Sequence, residues 1–299
     1  MGVVRAVVGA LVIGCGAWGA WEVSAVLRDP LAMPDGAKAD PIRSLVLVTD
    51  GVLDKGWLAR TLAIAPNATL MGTDLMQLRA RVLSDPQVAS ASVSRNFPDT
   101  LTVRISERSP VARLMAQTGG AEPLMLLVAR DGVAFRGTGF DPAMVESLPW
   151  LDGVRLARRG ERLAPIEGMA AVADLLASAK LEAENLYRSW QVVSVARLAS
   201  DSQIEVRTRD GLRVVFGTTE DYLRQIARLD LLMDESTDPT RPLRAVDLSL
   251  GAQVPVAYGT AAPTIGERPA APPARTAAQG MQIILPAFSN LQADAHRGI

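Results

Sequence analysis

Asp85–Ala112, DPQVASASVSRNFPDTLTVRISERSPVA, is the most informative segment of the sequence, because two strand-like segments in it flank a turn. In the first, Gln87–Arg95, the apolar positions that alternate with serines are Ala89, Ala91 and Val93. In the second, Thr100–Glu107, they are Leu101, Val103 and Ile105. Alternation with a period of two predicts antiparallel strands with one covered and one solvated face. Asn96–Asp99 (NFPD) supplies the turn between them.

Two helices are predicted upstream of these strands, and they supply the layer that covers the sheet. The first, Asp54–Ile64, has an inner face formed by Trp57, Leu58 and Leu62. Thr73 is a suitable N-cap for the second, and Asp85-Pro86 ends it. Its apolar face carries Leu75, Leu78 and Val82. Together with a strand at Arg43–Thr49, the predicted order of elements is β-α-α-β-β.

Beyond Val111 the sequence predicts a second domain that is mixed and rich in strands. The strand-like segments are Val111–Met115, Leu124–Ala129, Val133–Phe135, Val192–Arg197, Ile204–Thr208, Leu212–Phe216 and Ala245–Leu250. Arg209–Gly211 has the composition of a hairpin turn between two of them. The expected fold class is therefore α+β.

Two helices are interleaved with these strands, and their apolar stripes are interpreted as core-facing. Ile166–Leu181 carries the stripe Met169, Val172, Leu176 and Ala179. Thr218–Asp234 opens with a capping box from Thr218 to Asp221. Its stripe is Tyr222, Ile226, Leu229 and Met233.

The apolar N-terminal segment Val3–Leu27 allows three interpretations. Its length fits a transmembrane helix with Trp18 and Trp21 at an interface, and we adopt this anchor for residues 3–27. Gly14–Gly19 also matches the G-x-G-x-x-G pattern of a dinucleotide-binding loop, but the following segment is too short for the required helix. Val12–Cys15 resembles a lipoprotein signal that ends at Cys15. Both the anchor and the lipoprotein signal place the remaining chain outside the cytoplasm, after a turn-rich linker at residues 28–42.

The tail has a different composition from the two domains. Residues 259–299 are rich in Ala, Pro and Thr and hold few large apolar side chains, which predicts disorder. Met281–Phe288 (MQIILPAF) is a short apolar island within this tail. It is interpreted either as a linear docking motif or as a chance cluster.

The overall composition excludes several classes of function. With 31 Lys and Arg against 32 Asp and Glu, the chain lacks the basic surface expected of a nucleic-acid-binding protein. One histidine, His296, cannot by itself form a His-based metal site, and a Ser-His-Asp triad would have to recruit it from the tail. One cysteine, Cys15, excludes an intrachain disulfide. The apolar fraction of 48% fits an anchor followed by two compact domains.

The stretch Asp85–Ala112 resembles the end of the POTRA domain in the FtsQ/DivIB family of bacterial cell-division proteins. The matching residues are Val88, Ala91, Val93, Arg95, Phe97, Pro98, Thr100, Leu101, Glu107, Arg108, Pro110, Val111 and Ala112. Leu148–Gly153 and Val246–Leu248 add weaker similarity to later family motifs. The resemblance implies a POTRA domain at residues 43–110 and an FtsQ-type β-domain at residues 111–258. At their junction, Phe97-Pro98 is expected to fix a hairpin, and Glu107 is expected to pair with Arg108.

The resemblance implies assembly rather than catalysis, with no catalytic residue, cofactor, metal, nucleic acid or small-molecule substrate. Family members bind FtsB and FtsL and connect them to the septal peptidoglycan synthase. The implied location is the inner membrane at the division septum, with a single pass, the N-terminus in the cytoplasm and the bulk in the periplasm. The implied mechanism is addition of a partner strand to an exposed sheet edge.

The expected edge is the last strand together with the segment that follows it to Tyr258. We predict that no later strand of the chain covers this edge. The expected partner-binding residues are Val246, Asp247, Leu248, Ser249, Leu250, Gly251, Gln253, Val254 and Tyr258, the last as an aromatic anchor. Ser249 and Leu250 depart from the family pattern, which has Arg followed by an aromatic residue. Two other functions remain open: a POTRA-containing component of envelope transport or assembly, and a dinucleotide-binding enzyme that uses Gly14–Gly19.

Overall fold

A computed structural model of the chain describes residues 41–118, 122–160, 162–236, 241–259 and 281–283. The predicted anchor at residues 3–27, most of the linker, the Gly14–Gly19 loop and most of the tail lie outside these residues. Within the described ranges, no helix has the length and apolar character needed to cross a membrane.

The N-terminal region forms a three-stranded sheet in the order β1-β3-β2. Its strands are β1 (Ser44–Val48), β2 (Val88–Asn96) and β3 (Thr100–Glu107), and β1 runs parallel to β3. Between β1 and β2 lie helices α1 (Lys55–Leu62) and α2 (Leu75–Val82). Most of the predicted inner residues are buried, namely Trp57, Leu58, Leu62, Leu78, Val82, Ala91, Leu101, Val103 and Ile105. Leu75 and Val93 are only partly buried. The β-α-α-β-β order is therefore confirmed.

Two local predictions in this region are wrong. Ala89 is exposed, whereas Val88 and Ala91 are buried, so the period of two breaks at the start of β2. The cap of α2 is Asp74 rather than Thr73, because the Asp74 carboxylate accepts from the backbone N–H of Met76 at 2.8 Å. The Thr73 hydroxyl instead donates to the carbonyl of Thr69 at 2.7 Å.

The C-terminal region is built on one large sheet in the order β14-β13-β12-β11-β10-β7-β4-β5-β6, with β15 paired to β4. Its strands are β4 (Pro110–Thr118), β5 (Leu124–Ala129), β6 (Ala134–Phe135), β7 (Trp150–Asp152), β10 (Trp190–Ser194), β11 (Gln203–Thr208), β12 (Arg213–Gly217), β13 (Leu243–Asp247), β14 (Val256–Tyr258) and β15 (Met281–Ile283). A separate hairpin pairs β8 (Arg158–Arg159) with β9 (Arg162–Leu163). Arg158, Arg159 and Arg162 lie on this hairpin.

In the described part of this region, five helices accompany the sheet: α3 (Pro142–Ser147), α4 (Met169–Glu182), α5 (Glu184–Ser189), α6 (Leu198–Asp201) and α7 (Tyr222–Glu235). The predicted core stripe of α4 is buried in full, and it joins β4, β5, β10, β11 and β12 in one hydrophobic cluster. Ile226 and Leu229 of α7 belong to the same cluster. The predicted capping box at Thr218 is wrong, because α7 begins at Tyr222 and Asp221 caps it. Met233 is exposed, and Leu232 packs in its place.

The described chain divides into two compact units whose boundary differs from a simple cut between β3 and β4. The first comprises residues 41–48, Lys55–Arg81 and Ser92–Arg104. The second comprises Thr49–Asp54, Val82–Ala91 and the described residues from Ile105 onward. The start of β2 and the end of β3 are thus grouped with the large sheet.

Candidate strand-binding edge

The last strand predicted from the sequence is not an open edge. β13 pairs in parallel with β12, from Arg213↔Ala245 onward, and antiparallel with β14 on its other side. The prediction that no later strand covers Val246–Leu250 is therefore wrong. The chain reverses direction at Gly251, whose φ of +71° is readily adopted only by glycine, and returns as β14. The outer strand at this end of the large sheet is β14.

Several of the predicted binding residues instead hold the turn between β13 and β14. Val246 and Leu248 are buried, and the N–H of Leu248 donates to the carbonyl of Val215 at 2.8 Å. The Asp247 carboxylate accepts from the N–H of Ser249 at 3.0 Å and from its hydroxyl at 2.6 Å. Since these groups already have partners within the chain, their role in this geometry is to shape the turn.

A guanidinium from α7 fixes the tip of the same turn. Arg228 forms a two-pronged ion pair with the Glu220 carboxylate at 2.9 and 2.7 Å, and it also donates to the carbonyl of Gly251 at 2.9 Å. The hydrogen bond from Arg228 lowers the pKa of Glu220 below its usual value. Beside this clamp, the side chain of Leu250 is 59% exposed. Gln253 is exposed, and Val254 packs partly against the core.

The backbone of β14 has one side directed to β13 and one side directed outward. The carbonyl of Pro255 accepts from the N–H of Asp247, and the N–H of Gly259 donates to the carbonyl of Pro242, so the odd-numbered residues face β13. Because alternate residues of a strand direct their polar groups to opposite sides, those of Val256 and Tyr258 point outward. No strand of the described residues pairs with this outer side.

The side chains at these two positions are apolar and exposed. Val256 is 37% exposed and Tyr258 is 43% exposed. Val256 lies opposite the buried Val246, so it continues the core face of the sheet onto its outer strand. The Arg241 guanidinium lies 5.6 Å from the centre of the Tyr258 ring and supports it from one side. This arrangement can accept an extended strand, with apolar contacts available along the same edge.

The junction motif lies elsewhere, and its residues are structural. Glu107 does not pair with Arg108, as the sequence suggested. Its carboxylate accepts from the hydroxyl of Thr49, from the N–H of Leu53 at 2.9 Å and from the N–H of Val52 at 3.1 Å. A side chain at Gly51 would overlap this carboxylate, so the glycine lets Glu107 keep this position without being displaced.

Arg108 has a separate set of partners. Its guanidinium forms an ion pair with Asp131 at 2.7 Å and donates to the carbonyls of Pro86 and Val88 at 2.9 and 2.7 Å. Pro110 opens β4 opposite Ala129. These contacts fasten the end of β3 to segments on both sides of it within the second compact unit.

The remaining motif residues belong to the N-terminal sheet. Arg95 donates to the carbonyls of Leu70 and Thr73 at 2.6 and 2.8 Å, which holds the loop before α2. Phe97 is 46% exposed, Pro98 follows it in the turn, and Thr100 begins β3 opposite Ser44. These residues belong to the first compact unit, whereas the C-terminal edge belongs to the second.

Sequence reasoning missed Gln87, which is fully buried at the junction. Its amide nitrogen donates to Glu107 and to the carbonyl of Thr138, both at 3.0 Å, and its amide oxygen accepts from the N–H of Thr138 at 2.9 Å. A buried amide needs such partners because an unsatisfied one is costly. Thr138 is far away in sequence, and no local pattern indicates the pairing.

No three His, Cys, Asp or Glu side chains of the described ranges are grouped so that they could hold a metal ion. The polar clusters described above are carboxylates paired with guanidinium, hydroxyl or backbone N–H groups. What the site offers chemically is therefore hydrogen bonding along a strand.

Comparison with known proteins identifies relatives. A family model described as the POTRA domain of FtsQ type matches residues 41–108. The chain is 30% identical over 209 residues to the cell division protein FtsQ of Mycobacteroides abscessus, an alignment that covers 70% of this chain and 58% of that protein. The Mycobacterium bovis FtsQ is 27% identical, with coverage of 69% and 57%. The Rhodothermus marinus FtsQ is 28% identical over 212 residues, with coverage of 68% and 72%. The chain thus spans somewhat more than half the length of the mycobacterial relatives.

Proposed function

The chain belongs to the FtsQ family of cell division proteins, and on that premise we propose that it is a membrane-anchored scaffold that receives a partner strand at β14. The partners are division proteins of FtsB and FtsL type, which it connects to septal peptidoglycan synthesis. The anchor is the apolar segment at residues 3–27, with the N-terminus in the cytoplasm and the two domains in the periplasm. The protein acts by binding and not by catalysis.

The observation that carries this proposal is the outer side of β14. A strand at the end of a sheet presents unpaired N–H and C=O groups, which are a template for another strand. Val256 and Tyr258 supply both these outward groups and the exposed apolar side chains beside them. The partner strand gains main-chain hydrogen bonds from the backbone and discrimination from the side chains.

The turn before β14 supports the same proposal. Arg228 and Asp247 hold the turn, so the edge is presented in one conformation and little ordering is needed on binding. Leu250 lies exposed in this turn, and we include it in the apolar surface that the partner contacts. Asp247, Ser249 and Gly251 act indirectly, by positioning the edge.

The experiment is capture of partners from membrane extract by the full chain in detergent. We expect FtsB- and FtsL-type proteins to be recovered, and Tyr258→Ala and Leu250→Glu to reduce the recovery by about tenfold, as expected for loss of a central interface side chain. Met125→Ala is the matched control, because Met125 on β5 has the same 43% exposure as Tyr258 but lies away from this edge.

A second pair of variants separates backbone pairing from side-chain contact. Val256→Pro removes an outward N–H that a partner strand needs, whereas Val256→Ala removes only side-chain surface. We expect the proline variant to lose more partner than the alanine variant. Recovery that is unaffected by Val256→Pro, Tyr258→Ala and Leu250→Glu would place the interface elsewhere and overturn the proposal.

A further inference from the structure

A second strand-binding edge lies in the middle of the large sheet, on β4. β4 has nine residues, whereas its parallel neighbour β7 has three and pairs with it only at Arg113. The last part of β4, Ala116–Thr118, therefore extends past β7. We call this segment the β4 edge.

The chain's own tail occupies this edge. β15 runs antiparallel to β4 with the register Met281↔Thr118, Gln282↔Gln117 and Ile283↔Ala116. Since Ala116 is already paired with Leu124 of β5 on one side, β15 lies on the other side, in line with β7. The tail thus fills the place that the short β7 leaves vacant.

The backbone geometry explains why a strand fits there. The N–H of Arg113 donates to the carbonyl of Pro149, on the β7 side of β4. Alternate residues of a strand direct their backbone N–H and C=O groups to the same side. The backbone groups of Gln117 therefore point to the β7 side, where they face the backbone of Gln282. Ala116 is buried on the core face, and Ile283 lies opposite it and is partly buried. The edge therefore accepts an extended segment with the pattern apolar-polar-apolar.

We propose that the β4 edge is a peptide-binding edge whose occupant is the chain's own Met281–Ile283 segment, held there reversibly by its tether. This proposal does not depend on partner binding at β14. A strand of three paired residues makes few hydrogen bonds and binds weakly as a separate peptide. Tethering makes the binding intramolecular and raises the effective concentration to about the millimolar range.

The length of the tether suits this role. β14 and the position of β15 are separated by about five strand spacings, or roughly 24 Å at about 4.8 Å each. Residues 260–280 connect the two in sequence. A chain of this length can reach at most about 70 Å, at about 3.3 Å for each residue, so it is long enough to cover the span.

The test uses the full chain in detergent and a labelled peptide of residues 279–286. Gln282→Pro removes the N–H that pairs with Gln117 without altering the body of the domain. Thr276→Pro, in the connecting segment, is the matched control. We expect the peptide to bind the Gln282→Pro chain at least about threefold more tightly than the wild-type or Thr276→Pro chain, because the tethered competitor is gone.

Hydrogen exchange at Gln117 provides an independent measurement. We expect its amide to exchange about fivefold faster in the Gln282→Pro chain than in the wild type. Equal exchange in the two chains, or equal peptide affinity, would overturn the proposal. Protection that increases with protein concentration would also overturn it, since the tail would then come from a second copy.

Discussion

The surroundings of the Glu107 carboxylate and the outer side of β14 both present backbone polar groups. The two regions differ in whether those groups already have hydrogen-bond partners. At Glu107, neighbouring N–H groups converge on one acceptor. Along β14, the outward groups of Val256 and Tyr258 have no described strand beside them. The first region stabilises the fold, whereas the second is available for another chain.

The difference also appears in the apolar side chains. Around Glu107, the segments that meet it include the buried residues Leu53 and Gln87. Along β14, every residue is exposed, including a valine and a tyrosine. Exposed apolar groups next to unpaired backbone promote aggregation and lower solubility. Such an edge is therefore expected at a site that a partner covers. Variants in the two regions should therefore affect different properties.

The largest effect is expected for Glu107→Ala. The change leaves the N–H groups of Val52 and Leu53, the hydroxyl of Thr49 and the amide of Gln87 without their shared acceptor. We expect a loss of about 3 kcal/mol in the free energy of unfolding, measured by urea denaturation. Partner capture per folded molecule should be unchanged.

Two further variants sharpen this prediction. Glu107→Gln keeps one carbonyl acceptor and should cost about half as much. Glu167→Ala, at an exposed glutamate, is the control and should change the stability by less than about 0.5 kcal/mol. If Glu107→Ala left stability intact and abolished partner capture, the contrast between the two regions would be refuted.

Gln87→Met is expected to have the next largest effect. Methionine has a similar volume but cannot pair with the N–H and C=O of Thr138. Leaving these groups without the amide should lower the free energy of unfolding by about 2 kcal/mol. Gln77→Met, on the exposed side of α2, is the control. A cost no larger than that of the control would mean that water satisfies Thr138 equally well.

The regular elements could be predicted from the sequence because their signals are local. The apolar alternation in Thr100–Glu107 predicts β3 with its observed bounds, and the stripe from Met169 to Ala179 predicts α4. In both cases the burial of each residue follows from the period of the element. Leu124–Ala129 is likewise found as β5 with the predicted bounds.

The failures concern short strands and distant partners. β14 has three residues and β7 has three, which is too short for a period to be recognised. The sequence therefore predicts one open edge from Val246 to Tyr258, whereas the structure pairs β13 with β14 and leaves only the outer side of β14 open among the described strands. The acceptor role of Glu107 was missed because three of its partners, Thr49, Val52 and Leu53, are separated from it by more than 50 residues in sequence. Pairing between such groups depends on the tertiary fold and leaves no local pattern.

Arg228→Ala tests the clamp that presents the β14 edge. The change removes the donor to the carbonyl of Gly251 while leaving the core side chains of α7 in place. We expect the amides of the turn to exchange about fivefold faster, with little change in global unfolding, because the loss is local. Arg224→Ala, at an exposed arginine of the same helix, is the control. Equal exchange of the turn amides in the two variants would show that the turn keeps its conformation without Arg228.

The smallest effect is expected at Asp50, on the exposed side of the Glu107 junction. Its carboxylate accepts from the hydroxyl of Ser106 at 2.7 Å and from the N–H of Glu107 at 2.8 Å. The hydrogen bond from Ser106, followed by that from the backbone, lowers the pKa of Asp50 below its ordinary value near 3.8. The folded state therefore favours the anion. This stabilisation is present above the pKa of the unfolded chain and is lost as the pH falls through the lower, folded-state pKa.

Ser106→Ala should raise the pKa of Asp50 towards its ordinary value, as measured by NMR titration of the carboxyl carbon. The accompanying change in stability should be small, because the group is exposed and screened by solvent. Ser92→Ala, on the exposed part of β2, should leave this titration unchanged. If the pKa of Asp50 were unaffected by Ser106→Ala, the backbone N–H of Glu107 alone would hold the anion. The contrast with β14 would then rest on the backbone alone. At the junction the backbone donors are already satisfied, whereas the outward backbone donors of β14 are still available.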